Sequence, residues 1–224
     1  MLRCVVLKPS SSKMSEIIQI NSPSGRVYKT PEGNIYPSVT RVVGILNEKH
    51  IREWRERVGE EEANRVSEWA SGHGTRFHTL MEDTLTKGKQ TIPFGKEFFV
   101  VYPKLCREVV PNIGKIHGIE LPMYSDTLKV AGTCDLLAEY KGELAVIDWK
   151  TSRHKKSIKD VTSYWCQTAS YAVMAKERLG LDVKRLVLVI NEGDRDVEVF
   201  ECRPEQWIER FKRVREVFYK KYGM

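Results

Sequence analysis

Residues 132–152 constrain the fold more than any other part of the chain, because they read as two strands joined by a short turn. Both runs are rich in β-branched and aliphatic residues, and Lys141-Gly142 between them is a possible two-residue turn. With that turn, facing residues have numbers that sum to 283, as 141 and 142 do. Asp135 and Asp148 then stand directly opposite each other on antiparallel strands.

Two facing aspartates require a compensating charge. Opposed residues in an antiparallel pair have Cβ atoms roughly 4.5 to 5.5 Å apart, so their carboxylates repel each other. A divalent cation relieves the repulsion, since Mg²⁺ and Mn²⁺ prefer carboxylate oxygens. Lys150 lies two residues after Asp148, and side chains two apart on a strand share a face. The combination suits phosphodiester hydrolysis, in which the cation polarises the phosphoryl oxygen and the lysine orients water or stabilises developing charge.

The hairpin also has a simpler interpretation. Asp-x-Lys specifies only two positions, and a solvent-facing ion pair between Asp148 and Lys150 is the alternative. A turn of three or five residues would break the register that brings in Asp135. The other face of the hairpin is predicted to be core, with Cys134, Leu136, Ile147 and Trp149.

Composition narrows the class of protein. Lys and Arg number 37 against 30 Asp and Glu, and the resulting net charge of +7 favours a polyanionic partner such as nucleic acid. No stretch has the apolar length of a membrane helix. The five cysteines include no CxxC pair, which argues against a disulfide framework or a metal cluster and favours a reducing compartment. We expect a cytoplasmic protein (host cytoplasm if phage-encoded), with a mitochondrial location, suggested by the basic first residues, as the alternative.

The rest of the chain predicts one domain over residues 36–224, preceded by a partly irregular arm over residues 1–35 with about one strand. Hydrophobic periodicity and turn residues predict both helices and strands, with a helical subregion before the sheet. The expected helices are 50–70, 74–86, 94–110 with a break near Pro103, 161–179, and a last one begun by Pro204; the expected strands are 118–124, 128–140, 143–151, 184–191 and 195–201.

Four motifs in one order give the sequence a family resemblance. They are G-x-x-x-H (74–78), G-T-x-D (132–135), D-x-K (148–150) and Q-x-x-x-Y (167–171). In this order they resemble the RecB-like branch of the PD-(D/E)XK nuclease superfamily. Within that branch, the runs PSVT (37–40) and IDWKTS (147–152) are similar to those of mitochondrial and phage exonucleases of genome maintenance.

The resemblance implies α/β (α+β) architecture, with a central mixed sheet flanked by helices as a restriction-endonuclease-like core. It also implies a Mg²⁺- or Mn²⁺-dependent site, and cutting of DNA from single-stranded ends in replication, recombination or repair. By position, Asp135 and Asp148 would be metal ligands, Lys150 the catalytic lysine, and His78 and Glu120 further metal ligands. The branch members with an iron-sulfur cluster use four cysteines in an arrangement that this chain lacks, so we expect no cluster. We expect a monomer, and no membrane partner.

DNA contacts are expected from residues around this site. Gln167 and Tyr171, one helical turn apart, would contact DNA or orient Lys150, or else pack their helix on the sheet. A basic track after the hairpin would meet phosphates, aromatic residues after it would stack on bases, and the helices before the sheet would arch over a threaded strand. The residues expected in these roles are Arg153, Lys155, Lys156 and Lys159 in the track, Arg76 on the second helix, and Tyr164, Trp165 and Tyr171 as stacking surfaces.

Three other functions fit the same residues. A DNA-binding module could keep the fold without turnover, although every metal and lysine position is intact. A structure-specific endonuclease or an RNA nuclease could use the same site, since nothing in the sequence reads a 2′-hydroxyl.

Overall fold

Strands and helices alternate along the chain in a computed structural model that describes residues 17–22, 25–88, 96–157 and 160–223. The strands are β1 (Ile18–Ser22), β2 (Gly25–Lys29), β3 (Ile35–Pro37), β4 (Ile113–Ser125), β5 (Val130–Tyr140), β6 (Glu143–Ser152), β7 (Arg185–Glu192) and β8 (Asp196–Cys202). The α-helices are α1 (Val39–Gly44), α2 (Glu48–Val58), α3 (Glu60–Lys87), α4 (Val101–Glu108), α5 (Thr162–Leu179) and α6 (Ile208–Tyr222). None of these helices is long and apolar enough to cross a membrane.

The central sheet has five strands in the order β4-β5-β6-β7-β8. All neighbours are antiparallel except β6 and β7, which are parallel and connected by α5. A parallel pair needs such a crossover, because its two strands start at the same end of the sheet. The mixed sheet flanked by helices confirms the predicted fold class.

Both faces of the sheet are buried, each under its own helices. One apolar cluster joins the stripe of α3 (Phe77, Leu80, Met81, Leu85) and residues of α4 to Leu136, Ile147 and Trp149 of the hairpin. The other joins α1, α5 and α6 to Leu137, Val146 and Leu188. Cys134 packs in this second cluster, so its predicted place beside Leu136 is wrong. The cause is an interruption of strand alternation at the intervening Asp135.

The β5–β6 hairpin has the register predicted from its turn. Pairs run from Leu136 with Ile147 to Tyr140 with Glu143, and all sum to 283. Lys141 and Gly142 both have positive φ, at 51° and 80°. A two-residue turn of this kind matches the twist of the flanking strands and so fixes their pairing.

Two predicted helix boundaries are wrong. The first two helices divide at Gly59 (φ 86°) rather than near residue 72, and α3 runs on through Gly72 and Gly74. Positive φ is accessible to glycine and interrupts the helix there. In the third helix, Pro103 causes no break, because it lies in the first turn of α4, where the backbone N–H has no helical partner to lose.

The described part of the N-terminal segment forms a small antiparallel sheet, β1-β2-β3, where the sequence predicted about one strand. It packs on the central sheet through Tyr28 and Tyr36, which are buried with Tyr124 and Ala131. Tyr36 also donates a hydrogen bond to Asp126. The loose arm predicted for the first residues lies, over residues 1–16, outside the described part of the chain.

Candidate active site

The predicted carboxylates lie where β5 and β6 stop pairing. The ladder ends at Leu136 and Ile147, and the next position of this register is that of Asp135 and Asp148. Instead of a further strand bond, the Trp149 N–H donates to Oδ2 of Asp135 at 2.9 Å. Both aspartates are buried, at 7% and 1% exposure. The hairpin therefore brings two carboxylates into the interior of the fold beside the end of its ladder.

Lys150 is the cation that meets these carboxylates. Its Nζ lies 2.6 Å from Oδ2 of Asp148, and both side chains project from the same face of β6, as predicted. The ammonium also sits 5.2 Å from the ring centroid of Tyr164 in the first turn of α5. Oδ1 of Asp148 is buried without a hydrogen-bond partner among the described residues. A lysine thus offsets part, but not all, of the buried negative charge.

His78 points one ring nitrogen toward the carboxylates. Its Nε2 lies 2.8 Å from the Trp149 carbonyl, to which it can only donate, so in the neutral ring the lone pair is on Nδ1. That Nδ1 is 3.6 Å from Oε1 of Glu120 and 3.7 Å from Oδ1 of Asp135. Metal-bound histidines commonly donate their other N–H to a carbonyl in this way.

Glu120 reaches this place through an unusual backbone conformation. It has φ 46° in the middle of β4, where left-handed backbone is costly for a residue with a side chain. Its strand neighbours Ile119 and Leu121 pair with Leu136 and Cys134 of β5, so Glu120 lies level with Asp135. Non-glycine residues held in such conformations cluster at functional sites.

The electrostatics of the site are those of crowded negative charge. Burial, followed by the neighbouring charge of Asp148, raises the pKa of Asp135 to about 7. Burial lowers the pKa of His78, but the contact with Glu120 and the charge of Asp135 outweigh it, so the net shift is upward. For Lys150 too, burial lowers the pKa, and Asp148 and Asp135 together raise it above its ordinary value.

The donor set fits a hard divalent cation. Ligand atoms of His78, Glu120 and Asp135 all lie within 4.8 Å of one another, and Asp148, which stands beside Lys150, falls outside this group. Carboxylate oxygens with one imidazole nitrogen suit Mg²⁺ or Mn²⁺. A cation at this place would bind the unpartnered Oδ1 of Asp148. It would also offset the negative charge that, together with burial, raises the pKa of Asp135.

The G-T-x-D and Q-x-x-x-Y motifs touch each other. A Cβ on Gly132 would lie 2.8 Å from the Tyr171 hydroxyl, so the glycine is needed for this approach. Tyr171 is 2% exposed and sits in the apolar cluster under α5, which supports the packing alternative for it. Gln167 is also buried, and its contact with DNA stays a prediction.

The basic residues predicted to contact DNA differ in whether another side chain of the protein already engages them. Arg76 forms a bidentate pair with Glu97, at 2.5 and 2.9 Å, and Lys155 reaches Glu198 at 2.9 Å. Lys156 lines an open polar cavity of about 360 Å³ beside the N-terminus of α5. Arg153 lies over the ring of Trp69. Lys159 lies outside the described residues.

Of the aromatic residues of α5 predicted to stack on bases, two are buried, and an exposed indole on α3 was not predicted. Trp165 is buried against Trp207 and, like Tyr171, offers no ring to solvent; Tyr164 is half-buried beside Lys150. Trp69 is 44% exposed, and the sequence analysis did not single it out. The available signal was the row Trp69, His73, Phe77, in which an aromatic stripe at a spacing of four continues beyond the apolar core.

Comparisons with known proteins agree with this geometry. Residues 40–220 match the family model of the PD-(D/E)XK nuclease superfamily. Mitochondrial genome maintenance exonuclease 1 of Homo sapiens is 29% identical over 133 residues, 55% of this chain and 38% of that protein. Its Xenopus tropicalis counterpart is 29% identical over 147 residues, 60% of this chain and 42% of that protein.

The predicted resemblance to these exonucleases is confirmed, and the chain spans about two fifths of their length. Among solved structures, the crystal structure of SSO0001 has a TM-score of 0.44 at 16% identity over 80% of this chain and 72% of that one, a likeness too low to support any argument. The family match runs from α1 to the last turn of α6 and includes every predicted ligand. The chain therefore belongs to the PD-(D/E)XK nuclease superfamily.

Proposed function

We propose that this protein is a Mg²⁺- or Mn²⁺-dependent DNA exonuclease that prefers single-stranded ends and acts in replication, recombination or repair. One observation supports the proposal most: Asp135, Asp148 and Lys150 converge at the end of a hairpin, with the free nitrogen of His78 turned toward Asp135. Burial of two carboxylates is energetically unfavourable, so a ligand or an opposite charge must compensate them.

The protein residues have separable roles in this proposal. Asp135, Asp148, His78 and Glu120 would hold the cation, which supplies Lewis acidity toward the phosphate and the attacking water. Lys150, kept protonated by the two aspartates, stabilises charge that develops on the phosphate oxygens and positions the water. The backbone of Trp149 positions two of these residues, because its N–H donates to Asp135 and its carbonyl accepts from His78.

The choice of DNA and of an exonuclease rests on charge and on the relatives. The net charge of +7 suits a polyanionic substrate. The relatives are exonucleases by name, and the name also favours the mitochondrial alternative over the predicted cytoplasmic location. Helix α2 buries none of its residues, which is compatible with the predicted arch of helices over a threaded strand. A monomer remains our expectation.

The direct test is digestion of end-labelled linear and circular single-stranded DNA, with a matched RNA strand, in Mg²⁺, Mn²⁺ or chelator. We expect linear DNA to be shortened with either metal, and circles, RNA and chelated samples to stay intact. Equal cutting of circles would replace the exonuclease by an endonuclease, and faster cutting of RNA would reject DNA as the substrate.

Matched variants connect that activity to the site. Asp148→Asn and Lys150→Ala should each lower the rate at least about 100-fold, because each removes a group aimed at the reacting phosphate or its cation. Asp182→Asn and Lys184→Ala change an exposed pair of the same residue types before the start of β7 and should keep the wild-type rate. Binding of DNA without any cutting by the wild type would instead favour the module without turnover.

A further inference from the structure

The indole of Trp69 on α3 forms a platform that is supported on one side. Its ring stacks on His73 with centroids 4.8 Å apart and planes within 10°. The guanidinium of Arg153 lies 4.5 Å from the same centroid. His73 follows Trp69 by one turn of α3, whereas Arg153 also interacts with the charge of Glu62, two turns before Trp69, so His73 backs the indole and Arg153 covers its outer side. Arg153 is exposed, whereas His73 is buried at 4% exposure.

The inner side of this platform is held rigidly. His73 Nδ1 lies 3.1 Å from Glu97, and Nε2 lies 3.0 Å from Asp194. Glu97 is in turn engaged by Arg76, and Asp194 accepts a hydrogen bond from Asn191 at 2.7 Å. The ring of Phe98 packs on His73 at 5.1 Å. With His73 fixed from several directions, the plane of Trp69 is set before anything binds to its outer face.

Helix α3, which bears this platform, runs beside β6, the strand that bears Lys150. His78 contacts the Trp149 carbonyl, a Cβ on Gly74 would lie 3.8 Å from Thr151 Oγ1, and Trp69 meets Arg153. Residues earlier in α3 thus lie beside residues later in β6 and just after it. Nine residues separate Trp69 from His78, which is about 14 Å along a helix. The platform therefore lies a short stretch of strand away from the metal ligands.

We propose that Trp69 is a base-stacking subsite, on which one unpaired nucleobase of the DNA strand lies against the outer face of the indole. This rests on the proposed function. A base on an aromatic ring is held more strongly than an exposed guanidinium, so the base displaces Arg153. The freed guanidinium then meets a neighbouring phosphate. Because His73 occupies the inner face, the subsite takes one base, and a base inside a duplex, stacked on both faces by its neighbours, cannot enter it.

The test is binding of single-stranded oligonucleotides with one abasic site moved along the strand. All proteins carry Asp148→Asn to prevent cutting, and the series compares Trp69 with Trp69→Ala and Trp69→Phe. With Trp69, an abasic site at one position, or at two adjacent ones, should weaken binding by about 5- to 150-fold. Trp69→Ala should lose this positional minimum, and Trp69→Phe should keep part of it. Phe99→Ala, which removes another exposed ring nearby, should leave the profile unchanged.

Tryptophan fluorescence gives an independent readout, since the quenching caused by an intact oligonucleotide should shrink in Trp69→Phe. A positional profile that is the same with and without Trp69, or the lack of any profile in a protein that cuts linear DNA, overturns the stacking subsite and leaves the nuclease proposal standing. Absence of metal-dependent DNA cutting in the wild type overturns both. Circular dichroism of Trp69→Ala identifies a folding defect, in which case the Trp69→Phe profile decides: a weakened positional minimum supports the subsite, and an unchanged one overturns it.

Discussion

At the scale of single residues, the site depends on which nitrogen of His78 carries its proton. The Trp149 carbonyl takes the Nε2–H, and the lone pair of Nδ1 faces Glu120 and Asp135. A backbone carbonyl cannot change partners or charge, so the ligand form of the ring is fixed by the strand itself. Tautomer control of this kind is usual behind metal-bound histidines.

Replacement of His78 should therefore affect metal affinity first. We expect His78→Ala to raise the Mn²⁺ dissociation constant at least about tenfold, because one ligand and its fixed orientation are lost. Isothermal titration with Mn²⁺ measures the change. His50→Ala removes an exposed histidine on α2 and is the matched control. Equal affinities of the wild type and His78→Ala would remove His78 from the ligand set.

The raised pKa of Asp135 makes the stability of the metal-free protein dependent on pH. Its pKa is about 7 in the folded chain against 3.8 ordinarily, so the native state holds this proton more tightly than the unfolded state does. The contribution to stability is present at low pH and is lost as pH rises toward 7. The upward shift of His78 acts in the same direction.

Thermal melts in chelator, from about pH 5 to about pH 8, test this dependence. We expect the wild type to lose melting temperature relative to Asp135→Asn as pH rises, and Mn²⁺ to restore the wild type alone. Parallel curves for the two proteins across this range would mean that Asp135 carries no unusual proton.

At the scale of elements, β4, β5 and β6 all depart from regular pairing at one level. The β5–β6 ladder ends beside Asp135, and Glu120 on β4 turns to a positive φ opposite it. Residues at one level of neighbouring strands point to the same face of a sheet, so this level brings the three carboxylates together. The end of the β5–β6 ladder leaves the Trp149 N–H available, and it donates to the Asp135 carboxylate instead of to a strand carbonyl.

Glycine at position 120 separates the backbone cost from the side-chain role. Glu120→Gly and Glu120→Ala both remove the carboxylate and should weaken Mn²⁺ binding alike. Within strands alanine is normally at least as stable as glycine, but here we expect Glu120→Gly to unfold at the higher urea concentration, because left-handed φ costs alanine about 1 to 2 kcal/mol. Greater stability of Glu120→Ala would show that the positive φ stores no strain.

The contact of Gly132 with Tyr171 connects a strand motif to a helix motif. Gly132→Ala should lower the stability by about 1 to 3 kcal/mol, since the new Cβ meets the Tyr171 ring and hydroxyl. Tyr171→Phe in the same chain should recover part of the loss. Gly44→Ala, whose Cβ would meet nothing within 4 Å, is the control for urea unfolding. A loss that Tyr171→Phe does not reduce would mean that the close approach is not the cause.

The sequence predicts the elements whose signals are local and leaves out those that depend on distant contacts. Lys141-Gly142 fixes the hairpin register, and hence the position of Asp148 and Lys150, because a two-residue turn determines the pairing. The positive φ of Glu120 has no such local signal. Nor has the burial of Trp165, which depends on α6 packing against α5.

At the scale of the whole molecule, the sheet is a support that two helical layers hold from both sides. The cluster under α3 and α4 fixes His78 through its helix, and the cluster under α5 fixes Tyr164 and Tyr171 through theirs. The three carboxylates proposed as ligands and Lys150 come from the sheet between them. Rigid elements on three sides suit a site that must hold a cation in one geometry.

The most direct test of this arrangement is the anomalous scattering of Mn²⁺ in crystals of the protein grown with the metal. We expect a peak in contact with Asp135, Asp148, Glu120 and Nδ1 of His78, at metal-ligand distances of about 2.0 to 2.2 Å. A peak elsewhere, or none while Lys150 remains paired with Asp148, would contradict a metal site at the end of this hairpin.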